Sequence, residues 1–258
     1  MRIAVVGKGG SGKSVVAGTI ARVLARRGHR VLALDSDPIP GMAISLGLGP
    51  LTDAMLAPAS EKNEQGRWKL KKGVGAARAV QRYSVIGPDG VRLLQFGKAG
   101  AEGLEHVMGS VNAFYAVVHR LARTGVLQDW SVVGDLPAGP RQAAFDWAPY
   151  ADTFLVVAEP GWQSILTARR VARIAGSRSG VDVLMIANKV REAGESELIA
   201  ERTGREIFAA IPADPAVSGA DRAGVALIDH APSSEAVVAI EALVDKLGGH
   251  SMRNVNAL

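Results

Sequence analysis

Cysteine is absent from this chain of 258 residues, so disulfides, thiolate metal sites and cysteine nucleophiles are excluded within it. Aromatic residues make up only 5%, while Ala, Gly and Val are plentiful. That balance suits helices packed closely on a sheet, and equally a compositional bias of the genome. No apolar run reaches the roughly 18 residues of a membrane span, and no signal peptide precedes the first strand-like run, so a cytoplasmic location is expected. No Ser-His-Asp order or paired-carboxylate spacing rises above background. The five histidines form no site by spacing. His106, in Glu102–Met108 with two carboxylates and a thioether nearby, is the one candidate for a soft or borderline metal, and helix-surface residues look the same.

What is present is regular. Strand-like runs fall at Arg2–Val6, Val31–Leu34, Val91–Phe96, Ser131–Gly134, Thr153–Ala158, Asp182–Ala187 and Ile207–Ile211. Helical patterns fall between them at Lys13–Arg27, Val111–Thr124, Gln163–Ala175 and Glu192–Thr203, with a closing helix over Ser234–Leu247. This alternation predicts a three-layer α/β fold, a mostly parallel sheet with helices on both faces. No linker interrupts it, so residues 1–258 read as a single domain. The least regular part is Leu51–Gly90, with a hairpin of Tyr83–Ile86 and Val91–Phe96 expected around a Gly-Pro-Asp-Gly turn. From Glu61 to Arg82, seven basic residues (Lys62, Arg67, Lys69, Lys71, Lys72, Arg78, Arg82) face only Glu61 and Glu64, a net +5 equal to that of the whole chain. Such a field can meet DNA, anionic lipid or an acidic protein, or can belong to a solvated mobile loop.

The chemistry sits at the first strand–helix junction. Gly7-Lys8-Gly9-Gly10-Ser11-Gly12-Lys13-Ser14 follows Arg2–Val6 and leads into the first helix through Val15. A G-x-x-x-x-G-K-[ST] string between a strand and a helix is a phosphate loop: its backbone N–H groups converge on oxyanions, and the helix N-terminus adds its positive end. ATP is the expected ligand. Lys13 should reach the β- and γ-phosphates, and Ser14 should offer its hydroxyl to Mg²⁺. Asp35 and Asp37 end the second strand, at the sheet edge where ligands bind, and can hold a metal-bound water or orient the attacking one. Asp135 ends the run Trp130–Gly134 and is the second acidic position expected for Mg²⁺. Gly139 can turn an N–H toward the γ-phosphate. Asn188 and Lys189 follow another strand. An Asn side chain donates and accepts together, which suits the edge of adenine or a plain turn cap. Pro212, Ala213 and Asp214 follow the next strand and are placed to wall the base.

Lys8 discriminates further, because an ordinary phosphate loop needs no lysine directly after its first glycine. G-K-G-G-S-G-K-S resembles the deviant Walker A motif of the MinD, ParA and nitrogenase iron protein group, P-loop NTPases of the SIMIBI class. The resemblance extends over nearly the whole chain. Asp35-Ser36-Asp37-Pro38 is similar to the switch I D-x-D-P, Asp135-Leu136-Pro137-Ala138-Gly139 to Walker B and switch II, Asn188-Lys189-Val190 to the adenine-binding segment, and Ile211-Pro212-Ala213-Asp214 to the I-P-x-D after it. It implies an ATP-dependent homodimer in which Lys8 of one subunit touches the phosphates of the other. Lys8, Lys13 and Asp37 are then catalytic, Asp37 as the residue that orients water, and ATP and Mg²⁺ are the cofactors.

Within the group the likeness leans to the CooC type of nickel-insertion ATPase, through Leu94–Gly100 and the Asn112-to-Leu121 helix. That type carries a C-x-C metal pair where this chain has Ala101–Val111 without cysteine, so metal delivery by thiolates is lost. The resemblance therefore implies a Mg-dependent ATPase whose dimerisation cycle acts on a protein client, as a maturation or accessory factor. Two alternatives stay open. A ParA- or MinD-like positioning ATPase would bind DNA nonspecifically through the basic segment, and a nucleotide-dependent scaffold would turn over little. Stable membrane association is not expected, because Arg253–Leu258 is short and nearly uncharged and Ser234–Leu247 reads as a core-packing helix.

Overall fold

The structure, a computed structural model, describes residues 1–37, 41–51, 55–95, 104–125, 128–139 and 147–255, with side chains left out at 104–106 and 251–255. Its centre is an eight-stranded sheet. In chain order the strands are β1 (Arg2–Gly7), β2 (Arg30–Asp35), β5 (Val85–Ile86), β6 (Arg92–Gln95), β7 (Trp130–Asp135), β8 (Thr153–Ala158), β9 (Asp182–Val190) and β10 (Ile207–Pro212). Their spatial order is β10-β9-β8-β1-β7-β2-β6-β5, and only the β5–β6 pair is antiparallel. A separate hairpin joins β3 (Ser60–Lys62) to β4 (Trp68–Leu70).

Period-two alternation sorts the strand residues onto two faces. Ala4, Val6, Leu34, Val132, Phe154 and Met185 face one core, closed by Ala79 and Val80 of α3 (Ala76–Tyr83), Phe114 and Val118 of α4 (Leu104–Arg123), Ile165 and Val171 of α5 (Trp162–Ala175), and Ile199 of α6 (Ala193–Thr203). Ile3, Val5, Ala33, Val133, Leu155 and Ile186 face the other, closed chiefly by Val16 and Ile20 of α1 (Lys13–Arg26) and by Val237 and Ile240 of α9 (Glu235–Val255). Each fully buried Leu or Ile contributes about 1.5–3 kcal/mol, so both helix layers are held by the same sheet. The three-layer α/β expectation is met.

Several boundaries differ from the sequence reading. Strand β9 continues to Val190 rather than stopping at Ala187, and α4 begins at Leu104 rather than Val111. Helix α9 passes through Gly248 and Gly249, and beyond them His250 meets Asp182 at 3.1 Å and stacks edge-on to Phe208. That anchoring offsets the roughly 1 kcal/mol that each helical glycine costs. Helices α2 (Met42–Leu46), α7 (Pro215–Ala223) and α8 (Leu227–His230) were not anticipated, being too short for a periodic signal. The stretch expected to be irregular holds the β3–β4 hairpin and α3, and Tyr83 closes that helix rather than opening β5. Leu56, Ala59, Leu70, Ala76, Ala79 and Val80 bury it against α4.

Arg22 of α1 is 2% exposed. Its guanidinium bonds Leu46 O, Asp89 and Asp229, tying α1 to α2, to the β5–β6 turn and to α8. Arg26 adds contacts to the same two aspartates.

Gly134, next to last in β7, marks where packing leaves no room for a side chain, because a Cβ there would overlap the hydroxyl of buried Tyr150. Gly134→Ala should therefore lower stability by about 1–3 kcal/mol. Combining it with Tyr150→Phe should recover part of that loss, since the two changes share one contact. Urea unfolding of both variants and of Tyr150→Phe alone checks this, and an additive double variant contradicts it.

Candidate functional site

The expected site residues come together at the C-terminal edge of the parallel strands, at the ends of β1, β2, β7, β9 and β10. The loop Gly7–Ser14 leaves β1 and turns straight into α1. Gly12 stands at the N-cap with φ +90° and no side-chain cap, which leaves the first-turn N–H groups of α1 for an anion. A Cβ on Gly12 would run into Asn188 Nδ2, so both φ and space demand glycine there. Lys13 is buried, with Nζ donating to Lys8 O at 3.2 Å. Buried Ser11 Oγ has no partner among the described residues. An uncapped helix start, a buried ammonium and an unpartnered hydroxyl fit a phosphate chain.

Asp35 and Asp135 are register partners at the ends of β2 and β7, both buried. Asp135 Oδ2 accepts the Ser14 hydroxyl, while Asp135 Oδ1 is buried without a partner among the described residues. Desolvation first, then the charge of Asp35, pushes the Asp135 carboxyl from 3.8 up to about 8. Desolvation likewise raises Asp35 to about 6, against the lowering effect of backbone N–H groups of Asp37, Met42 and Gly41. Such a pair keeps one proton, on the Asp135 side, at neutral pH unless a cation enters. An orphaned carboxylate oxygen beside a serine hydroxyl suits Mg²⁺, which asks for only one or two carboxylates. Among the described residues no group of three or more His, Cys, Asp or Glu gathers for a metal ion. The side chain of His106, like residues 96–103 and Pro38, lies outside the described residues.

Asp35 does a second job. Its oxygens accept the N–H groups of Asp37 at 3.0 Å and Met42 at 3.1 Å, which tethers both flanks of the loop after β2. Asp37 is thereby held beside Asp35, half-buried. Ser36 bonds Asp135 O through both N and Oγ, joining the two strand ends. Gly139, at φ +100°, donates its N–H to Gly7 O at 3.1 Å. That N–H faces β1 here, and meeting a γ-phosphate requires this bond to break.

A cleft of about 460 Å³ opens beside the loop, between Gly12, Val15, Asn188, Pro212, Asp214 and Ile240. Its size suits a nucleoside. Asn188, 6% exposed, donates Nδ2 to Ser11 O at 2.7 Å, leaving its carbonyl oxygen for a base edge. Lys189 stands at φ +60° and turns its ammonium to Gly10 O at 2.6 Å and to Glu159. It braces the phosphate loop rather than reaching along the base. Asp214 caps α7 through Ala216 N and the start of α9 through Ala236 N, so its carboxylate builds the cleft wall. Sequence reasoning missed Glu159 and Gln95. Gln95 ends β6 opposite Asp35, fully buried, with Oε1 unpartnered among the described residues. Both follow apolar strand runs, the signal that picked out the other site residues.

Comparison with known proteins agrees with this geometry. The model of the "CobQ/CobB/MinD/ParA nucleotide binding domain" matches residues 3–228. The carbon monoxide dehydrogenase accessory protein CooC of Rhodospirillum rubrum is 28% identical, over 96% of this chain and 98% of its own. The septum site-determining protein MinD of Pyrococcus horikoshii, solved with Mg-ADP, superposes with a TM-score of 0.72 at 18% identity, covering 95% of each chain. A ParA family ATPase of Chlorobium tepidum gives 0.70 at 19%, covering 94% of this chain and 97% of its own.

The buried carboxylates set a pH dependence. Unfolded aspartates titrate near 3.8, and the folded pair near 6 and 8. Between these values the native state binds protons that the unfolded state has released, so stability should fall as pH rises from about 4 to about 8. Urea midpoints measured in chelator should show that decline. Mg²⁺ with ADP, or Asp135→Asn, should flatten it, and an unchanged slope in the variant counts against the assignment.

Proposed function

This chain belongs to the CobQ/CobB/MinD/ParA nucleotide-binding family, and on that footing we propose that it is a Mg-dependent ATPase whose ATP-bound form pairs face to face with a second copy and acts on a protein client. The observation that carries the reading is the incomplete charge cluster under the phosphate loop: buried Lys13, the buried Asp35–Asp135 pair, and Asp135 Oδ1 without a partner among the described residues. Hydrolysis to ADP and phosphate asks the protein mainly for positioning and charge. Lys13 and the α1 N-terminus hold the phosphates, and Asp37 orients the attacking water. Bound Mg²⁺, held by Ser14 and Asp135, would neutralise oxygens of the β- and γ-phosphates.

Lys8 supports the paired state. Among the described residues its ammonium has no carboxylate partner, although its carbonyl accepts from Lys13 and Ser11. Two triphosphates at one seam repel, and a cation from each subunit laid against the other's phosphates offsets that repulsion. The Gly139–Gly7 bond then acts as a latch that a γ-phosphate opens. Likeness to an accessory protein supports a client-directed role. A cargo metal held by thiolates is excluded, since the chain has no cysteine. No helix among the described residues is long and apolar enough to cross a membrane.

A second reading is favoured by one observation. Lys62, Arg67, Lys69, Lys71, Lys72, Arg78 and Arg82 are all exposed on the β3–β4 hairpin, on α3 and in the link between them. A positioning ATPase of the ParA kind would use this face on duplex DNA. It would show ATP-dependent binding to random sequence that weakens steeply with salt.

Light scattering with a non-hydrolysable ATP analogue and Mg²⁺ tests the pairing. The wild type should double in mass, while Lys8→Ala binds the analogue and stays monomeric. A wild type that stays monomeric overturns the proposal. Asp37→Asn should lower turnover by about 100-fold or more and prolong the ATP-bound dimer. Turnover close to wild type removes Asp37 from the mechanism.

A further inference from the structure

Outside the nucleotide site, a concave groove of about 590 Å³ lies between the outer faces of α5 and α6, lined by Leu166, Arg169, Arg170, Arg173, Thr203 and Arg205 together with Gly176 and Ser177. We propose that this groove docks an acidic segment of a protein partner, one that carries an aliphatic residue among its carboxylates. The inference rests on the client reading for the kind of partner, and not on the nucleotide chemistry.

The charge is unbalanced. No lining residue is acidic, and among the described residues Arg169, Arg170 and Arg173 have no ion-pair or hydrogen-bond partner while standing exposed. The inner face of α5 (Ile165, Ala168, Val171, Ala172, Ala175) packs on the sheet, so an outward polar face is required, but a merely solvated face ordinarily mixes both signs. Instead Arg169 and Arg173 stand four apart, a spacing at which like charges destabilise a helix by about 0.2–0.5 kcal/mol. Favourable placement at a helix C-terminus accounts for Arg173 in the last turn of α5, but not for Arg169 and Arg170. Arg205 is drawn across the groove by Nη2 to Ala172 O at 3.5 Å, which turns a cationic strip into a cationic cleft.

Shape and rim select among anions. A concavity of this volume admits side chains or a small ligand, whereas a nucleic-acid duplex is a convex rod that would meet only its edges. Leu166, 42% exposed at one end, offers an apolar contact that a bare phosphate cannot use. Ser177 and Thr203 donate their hydroxyls to backbone carbonyls of their own helices, so the guanidinium groups are left to do the recognition. Arg173, Ser177, Thr203 and Arg205 all lie at the C-terminal ends of α5 and α6, away from the strand ends that hold the phosphate loop. A second subunit on the nucleotide edge would leave the groove open.

Fluorescence anisotropy with a labelled synthetic peptide of Glu and Asp residues interspersed with Leu tests the proposal on the full chain. Arg169→Glu with Arg173→Glu should weaken binding by about tenfold or more, Arg169→Gln with Arg173→Gln by less, and Arg78→Glu with Arg82→Glu on α3 should change little. Replacing the peptide's Leu by Gly should also weaken it. The proposal is overturned if the wild type does not bind the peptide or if the α3 variant loses as much as the groove variant. It is also overturned if pyrophosphate or a random DNA duplex binds the groove more tightly than the peptide. Light scattering with the ATP analogue on the same variants separates the two readings: loss of the dimer in the wild type strikes the nucleotide cycle, whereas loss of the peptide alone strikes the groove.

Discussion

Two carboxylates buried side by side at the ends of β2 and β7 impose the constraint around which the rest is arranged. Ionised and alone, such a pair is costly in an apolar interior. The protein meets part of that cost with the backbone N–H groups of Asp37, Met42 and Gly41 on Asp35, the Ser14 hydroxyl on Asp135 and the nearby ammonium of Lys13. One oxygen of Asp135 is left without a partner among the described residues, as is the hydroxyl of Ser11 in the phosphate loop. Buried polar atoms left unsatisfied at one edge mark a place that a group from outside can complete.

The same cluster connects the moving parts. Asp35 holds the loop after β2, Ser36 bonds the carbonyl of Asp135, and the chain after Asp135 returns to β1 through Leu136 and Gly139. Asp135 thus bonds Ser14 through its carboxylate and Ser36 through its carbonyl, which places its charge at the junction of the neighbouring loops. Asn188 and Lys189 brace the phosphate loop from the opposite side through the carbonyls of Ser11 and Gly10. The loop is clamped between a titrating carboxylate pair and a fixed polar brace. The brace sets its shape, and the pair sets its response.

Much of this was legible in the residues. The phosphate loop, the aspartates after β2 and β7, and Asn188 with Lys189 all follow apolar strand runs, and in a parallel sheet those ends share one edge. Glu159 and Gln95 stand at equivalent strand ends; Glu159 belongs to no motif, and Gln95 was read only as part of the Leu94–Gly100 likeness, not as a site residue. The contacts of Lys189 were not legible for a different reason: β9 runs three residues further than its apolar stretch, and this carries the side chain under the loop. The basic stretch from Lys62 to Arg82 looked unstructured because its hairpin is short and α3 is brief. Burial of Leu70, Ala79 and Val80 against α4 holds it, and local propensity does not.

By itself the amino-acid string determined the layer order, the strand that precedes the glycine-rich loop, the family likeness carried by that loop and the exclusion of thiolate chemistry. Those features are local: a run, a spacing or a missing residue type carries each of them. Only the folded chain decided that Asp135 keeps an oxygen without a partner among the described residues, that Gly139 bonds Gly7, that Arg22 ties three elements to α1, and that Arg169, Arg173 and Arg205 line one cleft. These depend on groups far apart in the chain meeting where water is largely excluded, and burial and partner geometry there are properties of the packing.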